Sequence, residues 1–270
     1  MAGRAGVVSA WIAVAIGAAA ASALMVCLWL VQVRIRDASH VDAGWAYCVG
    51  CLGVLYAAIS DGAAAHRALV AALAAVWSAR LGTYILVNRV LGKPEDGRYR
   101  ALREKHGAQA DLRFFVFFQA QAFFALTFSV PLLLAAYNGS GGLEALEIVG
   151  ACVWAAGFTG TSLADRQLAR WRAEPANKGR TCRAGLWRYS RHPNYFFEWL
   201  VWIGFALVAS AAPWGFVGFL TPAFLLFLLL RVTGIPANEE QNLRSRGEDY
   251  RRYQRETSKF VPWFPKRSAA

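Results

Sequence analysis

Three groups of residues in this 270-residue chain have types and spacings that could do chemistry. The densest is Arg191-His192-Pro193-Asn194-Tyr195, with Glu198 close behind. It follows an arginine-rich loop and runs straight into an apolar segment, so its polar groups sit where water gives way to hydrocarbon. Ionisable groups are costly at that depth, and a dense set of them marks a functional site by default. Pro193 suits the first turn of a helix, which puts Asn194 and Glu198 one turn apart on a single face. The second group is Asp165, Arg172 and Arg180, joined by Arg231 at the end of a later apolar run. The third is Asn88-Arg89, on a segment that also carries Arg80 and Tyr84. Arginine forks grip phosphates in two places, while Asp and Asn suit ribose hydroxyls and amides. An anionic nucleotide held in a basic funnel fits this inventory. A topological role explains the number of basic residues equally well, and Trp, Tyr and Arg commonly anchor membrane edges. Neither explains Asp165, Asn194 and Glu198 placed at the boundary.

Other chemistries find little support. No Gly-x-Gly-x-x-Gly follows a strand pattern and no Walker loop is present, so a Rossmann or P-loop nucleotide site is not expected. There is no His-Glu-x-x-His and no Cys/His set with metal-ligand spacing. The five cysteines include Cys48-x-x-Cys51, which lies inside an apolar run with no second pair and no nearby His, so packing between helices is its expected role.

The elements that must position these residues are membrane spans. Hydrophobic residues make up 57% of the chain, with 11 Trp, and the apolar runs are long enough to cross a bilayer. About seven spans of roughly 20 residues are predicted: Val7 to Val33, Val41 to Ile59, Leu69 to Val90, Phe114 to Ala136, Leu143 to Leu163, Tyr195 to Ala212 and Trp214 to Leu230. The first is too long for a signal-peptide core and lacks a clear cleavage site, so it reads as a retained span. Pro213 marks a tight turn between the last two, and Asn138 to Gly142 forms a flexible one between the fourth and fifth. The net charge of +12 is concentrated in loops after the first, third, fifth and seventh spans. All lie on one side of a seven-span chain, so Met1 is expected outside and Ala270 in the cytoplasm, with nucleic acid not needed to explain the charge. Asn238 to Thr257 is charged but helically spaced and is expected to lie on the cytoplasmic face as an amphipathic helix. The fold expected is all-α, a single transmembrane domain over residues 1–270, with no separate soluble domain. Nothing sets the oligomeric state, and a monomer is compatible.

From about Val41 to Pro265 the chain resembles the steroid 5α-reductase-like family of integral membrane reductases, in its bacterial branch. The resemblance rests on Arg80 with Asn88-Arg89, Asp165 with Arg172, Arg180 ahead of Gly185-Leu186, Asn194-Tyr195-x-x-Glu198, and Arg231. It implies a seven-helix bundle in a bacterial inner membrane that binds NADPH. By the resemblance, Asn88, Arg89, Asp165, Arg172, Arg180, Arg191, His192, Asn194, Tyr195, Glu198 and Arg231 hold the cofactor. The implied reaction reduces a carbon–carbon double bond conjugated to a ketone, as in 3-oxo-4-ene steroids, on a lipophilic substrate reached from the membrane lipid. That chemistry needs a donor at the ketone oxygen and a proton for the neighbouring carbon. In the family a Glu and a Tyr hold the ketone. Asp42 best resembles the Glu and, if protonated in an apolar site, could donate; it could equally be the cap of the second span. The family's Tyr falls on Trp77, a departure, and Tyr84, two turns along the same face, could supply the phenol or be an ordinary interface tyrosine.

Two other readings stay open. Arg191-His192-Pro193-x-Tyr195 and Asn238-Glu239-Glu240-x-x-Leu243 with Tyr250 and Tyr253 also resemble the isoprenylcysteine carboxyl methyltransferases, which bind S-adenosylmethionine. A membrane scaffold without catalysis is the third. Asn88 and the Asp165–Arg172 spacing favour the reductase, because a dinucleotide with an extra phosphate needs more arginines than a sulfonium nucleoside.

Overall fold

The structure is a computed structural model that describes residues 8–266. The expected outer Met1, the start of the first span at Val7 and the expected cytoplasmic Ala270 lie outside the described residues. Every regular element among the described residues is helical. Six helical segments are long and apolar enough to cross a membrane: Ala10–Ile35, Val41–Ile59, Ala64–Val90, Gly97–Ala136, Ala145–Ala173 and Gly215–Arg246; Pro193–Ala209 is a shorter apolar helix. The protein is an integral membrane helical protein. Its exposed Trp11, Val87, Leu112, Phe123, Ile148 and Phe227 belong to apolar faces that a bilayer, not water, would cover.

The chain divides into two compact units. The first holds the chain up to Glu144 together with Ala209–Gly215. Its helices are α1 (Ala10–Ile35), α2 (Val41–Ile59), α3 (Ala64–Ile85), α4 (Gly97–His106) and α5 (Ala110–Ala136). Lipid tails are as apolar as leucine, so helices in a bilayer associate through close backbone approach and not through hydrophobic transfer. That approach is visible between α2 and α3, where a Cβ at Gly50 would lie 2.1 Å from the Ser78 Cβ, and one at Gly53 2.6 Å from that of Ala74. Trp77, 1% exposed, fills the space beside this seam and meets Trp45 edge to face at 6.2 Å. α3 does not stop at Ile85 but passes into a π-helical turn, Leu86–Val90.

The second unit holds Ala145–Val208 and the chain from Phe216 on. It contains α6 (Ala145–Ala173), α7 (Pro193–Ala209), α8 (Leu220–Phe227), α9 (Ile235–Arg246) and α10 (Glu248–Glu256). α6 meets α7 along glycines: a Cβ at Gly157 would stand 2.6 Å from the Val201 backbone nitrogen, and one at Gly204 2.6 Å from that of Trp154. Most boundaries shift by a few residues, and three differences change the reading. α6 runs ten residues past Leu163 to Ala173, because hydropathy falls where the chain leaves the apolar zone while the helix continues through Arg166, Arg170 and Arg172 on exposed positions. The last apolar run is not one α-helix but a 3₁₀ turn (Gly215–Phe219), α8 and a π turn (Leu228–Val232). The charged tail is two helices rather than one, broken at Gly247, whose φ of +53° is a left-handed value that glycine adopts without penalty.

Candidate functional site

In the second unit the loop from Thr181 to His192 is strapped down by the C-terminal segment. The Thr181 N–H donates to Asp249 Oδ2 at 2.7 Å, and Arg183 bonds Asp249 and Glu256. The Tyr253 hydroxyl donates to the carbonyls of Trp187 and Ser190. Ser190 Oγ donates to the Phe260 carbonyl at 2.7 Å, and the Trp263 N–H to that of Tyr189 at 2.9 Å. Burial raises the Tyr253 phenol, which keeps it a donor. Gly185 lies at the centre of this loop at φ +56°, and a Cβ there would fall 2.3 Å from Gln167 Nε2. Gln167 Oε1 accepts the Leu186 N–H at 2.8 Å, while Trp187 Nε1 donates to the Ala164 carbonyl. Gly185 is thus required by backbone sign and by the closeness of α6. Gln167 was missed by sequence reasoning; its place two residues after Asp165 carries no signal of its own.

Arg191 and His192 are drawn into the same strap. Arg191 Nε bonds Glu239 Oε1 at 2.6 Å, and its Nη1 donates to the carbonyls of Gln254 and Thr257. His192 Nε2 stands 3.4 Å from the same Glu239 oxygen, and the His192 ring stacks on Tyr195 with centroids 5.5 Å apart. His192 is 2% exposed. Burial holds its pKa below the ordinary value against the opposing pull of Glu239, so it is neutral at physiological pH. Both residues were expected on a cofactor; the Arg191 donors named here point into the protein, where the pair holds the strap.

Asp165 and Asn194, assigned to separate groups by sequence, come together. Asn194 Nδ2 donates to Asp165 Oδ1 at 3.2 Å, which ties α6 to the first turn of α7. Asp165 is 6% exposed. Tyr195 and Glu198 are half-buried on α7. Arg172 lies seven residues beyond Asp165, about 10 Å along α6 at 1.5 Å per residue, and is exposed. Arg180 and Arg231 are exposed too, Arg231 within the π turn. Among the described residues no carboxylate pairs with Arg172, Arg180 or Arg231.

The expected residues of the first unit form a different picture. α2 begins after His40, which makes no side-chain cap bond, so Asp42 is not the cap but a first-turn residue. Its Oδ1 accepts the Tyr99 hydroxyl at 2.7 Å and its Oδ2 accepts Arg98 at 2.8 Å. Arg98 also bonds Asp96, which caps α4 by accepting the Arg98 N–H at 2.9 Å. Burial would raise the Asp96 carboxyl, but the Arg98 bonds outweigh it and hold it below the usual carboxylate range. Nearby, Arg103 pairs with Glu95 at 2.8 Å and Arg36 with Asp111 at 2.9 Å. Asp42 is thus an acceptor within an ion-pair network, with both oxygens taking hydrogen bonds. Tyr84 is half-buried with the Arg80 guanidinium 5.3 Å over its ring, and its carbonyl accepts Asn88 Nδ2 at 2.8 Å. Asn88 and Arg89 are exposed in the π turn. π turns recur at functional positions, and here they carry Asn88, Arg89 and Arg231. No cluster of metal-ligating side chains occurs among the described residues, and Cys48 and Cys51 are free thiols.

No curated protein and no solved structure matches the chain. A family described as "Protein of unknown function (DUF1295)" matches residues 28–257. That match takes in most of both units, the 181–192 loop, its strap as far as Thr257, and every residue of the three chemistry-bearing groups. The chain belongs to the DUF1295 family.

Proposed function

We propose that this protein is a membrane-embedded NADPH-dependent reductase of the steroid 5α-reductase type, acting on a lipophilic enone. The observation that carries the reading is the set of exposed guanidiniums at Arg172, Arg180 and Arg231, which no carboxylate among the described residues meets, on the unit where Arg183 and Arg191 are bonded internally. Unneutralised arginines suit a polyanionic ligand. The residues present fit the cofactor: Arg172, Arg180 and Arg231 would take its phosphates, and the linked Asp165–Asn194 pair with Glu198 would take hydroxyls or an amide. NADPH, when bound, supplies the hydride. The chain must supply a donor where negative charge develops on the substrate oxygen. Asp42 already accepts two hydrogen bonds, so the group we assign to that oxygen is the Tyr84 phenol, with Asp42 holding Tyr99 and Arg98 in place.

The test is titration of the detergent-solubilised full chain with NADPH, NADH and S-adenosylmethionine. NADPH should saturate. Arg172→Ala should weaken it by about 1.5–3 kcal/mol, the range for a charged hydrogen bond. Saturable S-adenosylmethionine binding with none of NADPH would transfer the assignment to the methyltransferase reading. The two motifs behind that reading, at Arg191-His192 and Glu239, are bonded to each other here, which explains their presence without either cofactor.

The orientation proposed, from the one-sided basic loops, places the N-terminus outside a bacterial inner membrane. Reporter fusions at Asn138 and at the C-terminus should then report opposite compartments; the same compartment for both removes the seven-span topology.

A further inference from the structure

The chain beyond α10 turns back on itself. The Lys266 N–H donates to the Glu256 carbonyl at 2.8 Å, which closes residues 257–265 into a loop. Within it the Arg191 N–H donates to the Ser258 carbonyl at 2.8 Å, and the Trp263 N–H to that of Tyr189 at 2.9 Å. Ser258 Oγ donates to the Val261 carbonyl at 2.6 Å, and Pro262 and Pro265 fix φ at two further positions. Surface loops with joined ends of this kind are compact and hold one shape. The tip is nevertheless apolar and uncovered: Val261 is 53% exposed, Trp263 69% and Phe264 76%. This is not the exposure of a frayed end, because the backbone on both sides is bonded. An apolar cluster held outward on a fixed loop is a surface that something covers.

What covers it follows from where the loop is rooted. Phe260 is buried and meets the rings of Phe196 and Trp199 edge to face, with centroids 5.6 and 6.0 Å away. Both partners lie in the first two turns of α7. As a span, the 17 residues of α7 reach about 26 Å at 1.5 Å per residue, less than the roughly 30 Å of a hydrocarbon core. The first turn of α7 is therefore no further out than the edge of the hydrocarbon, and the loop packed on it stands at that level. Lys259 and Lys266 flank the tip and are exposed. Indole rings favour the headgroup layer, and ammonium groups beside them suit anionic lipid. Level, aromatic type and charge together fit a lipid interface better than a second protein.

We propose that Val261, Trp263 and Phe264 form an anchor that inserts into the interface of an anionic bilayer beside the start of α7. Through the bonds from Trp263 to Tyr189 and from Arg191 to Ser258, the anchor fastens the 181–192 loop to the membrane surface. The strap on that loop is then complete only when lipid covers the tip. Neither the cofactor nor the reaction enters this inference.

The experiment places the photo-crosslinker p-benzoylphenylalanine at Phe264, at Trp263 and at Arg244, one position at a time. Each full-length variant is reconstituted into vesicles of phosphatidylethanolamine and phosphatidylglycerol. Arg244, exposed on α9 outside the loop, is the control. The replacement keeps an aromatic ring at the tip, so the fold is preserved. After irradiation, mass spectrometry should find phospholipid adducts at Phe264 and Trp263 severalfold above those at Arg244. Adducts only within the chain, or a crosslinked dimer, would overturn the anchor and assign the tip to the protein itself or to a second copy. No adduct, or equal lipid adducts at all three positions, would overturn it as well. The hold on the loop is read by tryptic cleavage at Arg188 in the same vesicles. A Trp263→Ser, Phe264→Ser double variant should be cut there severalfold faster than wild type, with cleavage elsewhere in the chain recorded to separate loosening of the loop from unfolding. Equal rates would overturn the hold on the loop even where the tip reaches lipid.

Discussion

In the first unit, Arg36, Arg98 and Arg103 each face a carboxylate: Asp111, Asp42 and Glu95, all within 3.0 Å. In the second, Arg183 and Arg191 are matched in the same way, but Arg172, Arg180 and Arg231 meet no carboxylate among the described residues. Both units answer the same problem, basic side chains at the edge of apolar helices. Where the charges are paired they tie helices and loops together. Where they are exposed and meet no carboxylate among the described residues, their forks are open to an anion from solution. Matched arginines should therefore act on stability, and unmatched ones on binding.

The sharpest way to break that contrast is Arg191→Ala. It strands Glu239, only 14% exposed at its side chain, and removing one partner of a buried pair costs about 3–5 kcal/mol. Unfolding in detergent should show a loss of that order, with any folded fraction still binding NADPH. A variant as stable as wild type with cofactor binding abolished would return Arg191 to the site and erase the contrast.

Next in size are paired variants in the first unit, read on an enone substrate. Tyr84→Phe should lower turnover by the loss of one oxyanion donor, about 2.7–4 kcal/mol, at unchanged NADPH affinity. Asp42→Asn keeps an acceptor for Tyr99 but loses the charge facing Arg98, so it should cost mainly stability, by about 1 kcal/mol or less for a partly exposed pair. If Asp42→Asn stops turnover while Tyr84→Phe does not, the carboxyl is the polarising group and the matched network of the first unit is catalytic after all.

The smallest effect is a pH dependence in the strap. His192 has an ordinary value of 6.5 and a lower one when folded, because burial disfavours its charged form. The unfolded chain then binds more protons between those two values, so this contribution is complete above about pH 6.5 and lost as pH falls toward the folded pKa. Wild type should lose unfolding free energy on going from neutral to mildly acidic buffer, and His192→Gln should flatten that slope. An unchanged slope would place the acid sensitivity elsewhere.

Much of the fold is a property of local composition. Span length and apolarity are sums over a window, so Val41–Ile59 was legible to the residue, whereas the bond from Asn194 to Asp165 joins two helices and was not. The basic loops and the unmatched Arg172, Arg180 and Arg231 were visible as charges. What the sequence alone could not decide was which charges meet. Arg191 and Glu239 are 48 residues apart, and Asp42 and Tyr99 are 57 apart, so only the folded backbone brings them within hydrogen-bond reach. The π turns at Leu86–Val90 and Leu228–Val232 are likewise invisible to periodicity, since one wider turn barely shifts a hydropathy average. Trp77 could have been read as a changed active-site residue, and its burial against Trp45 makes it core instead. Residue type and spacing thus determined a basic-edged, helical membrane protein. Tertiary contact decided which of its arginines are structure and which remain available to a ligand, because pairing depends on distance in space and not along the chain.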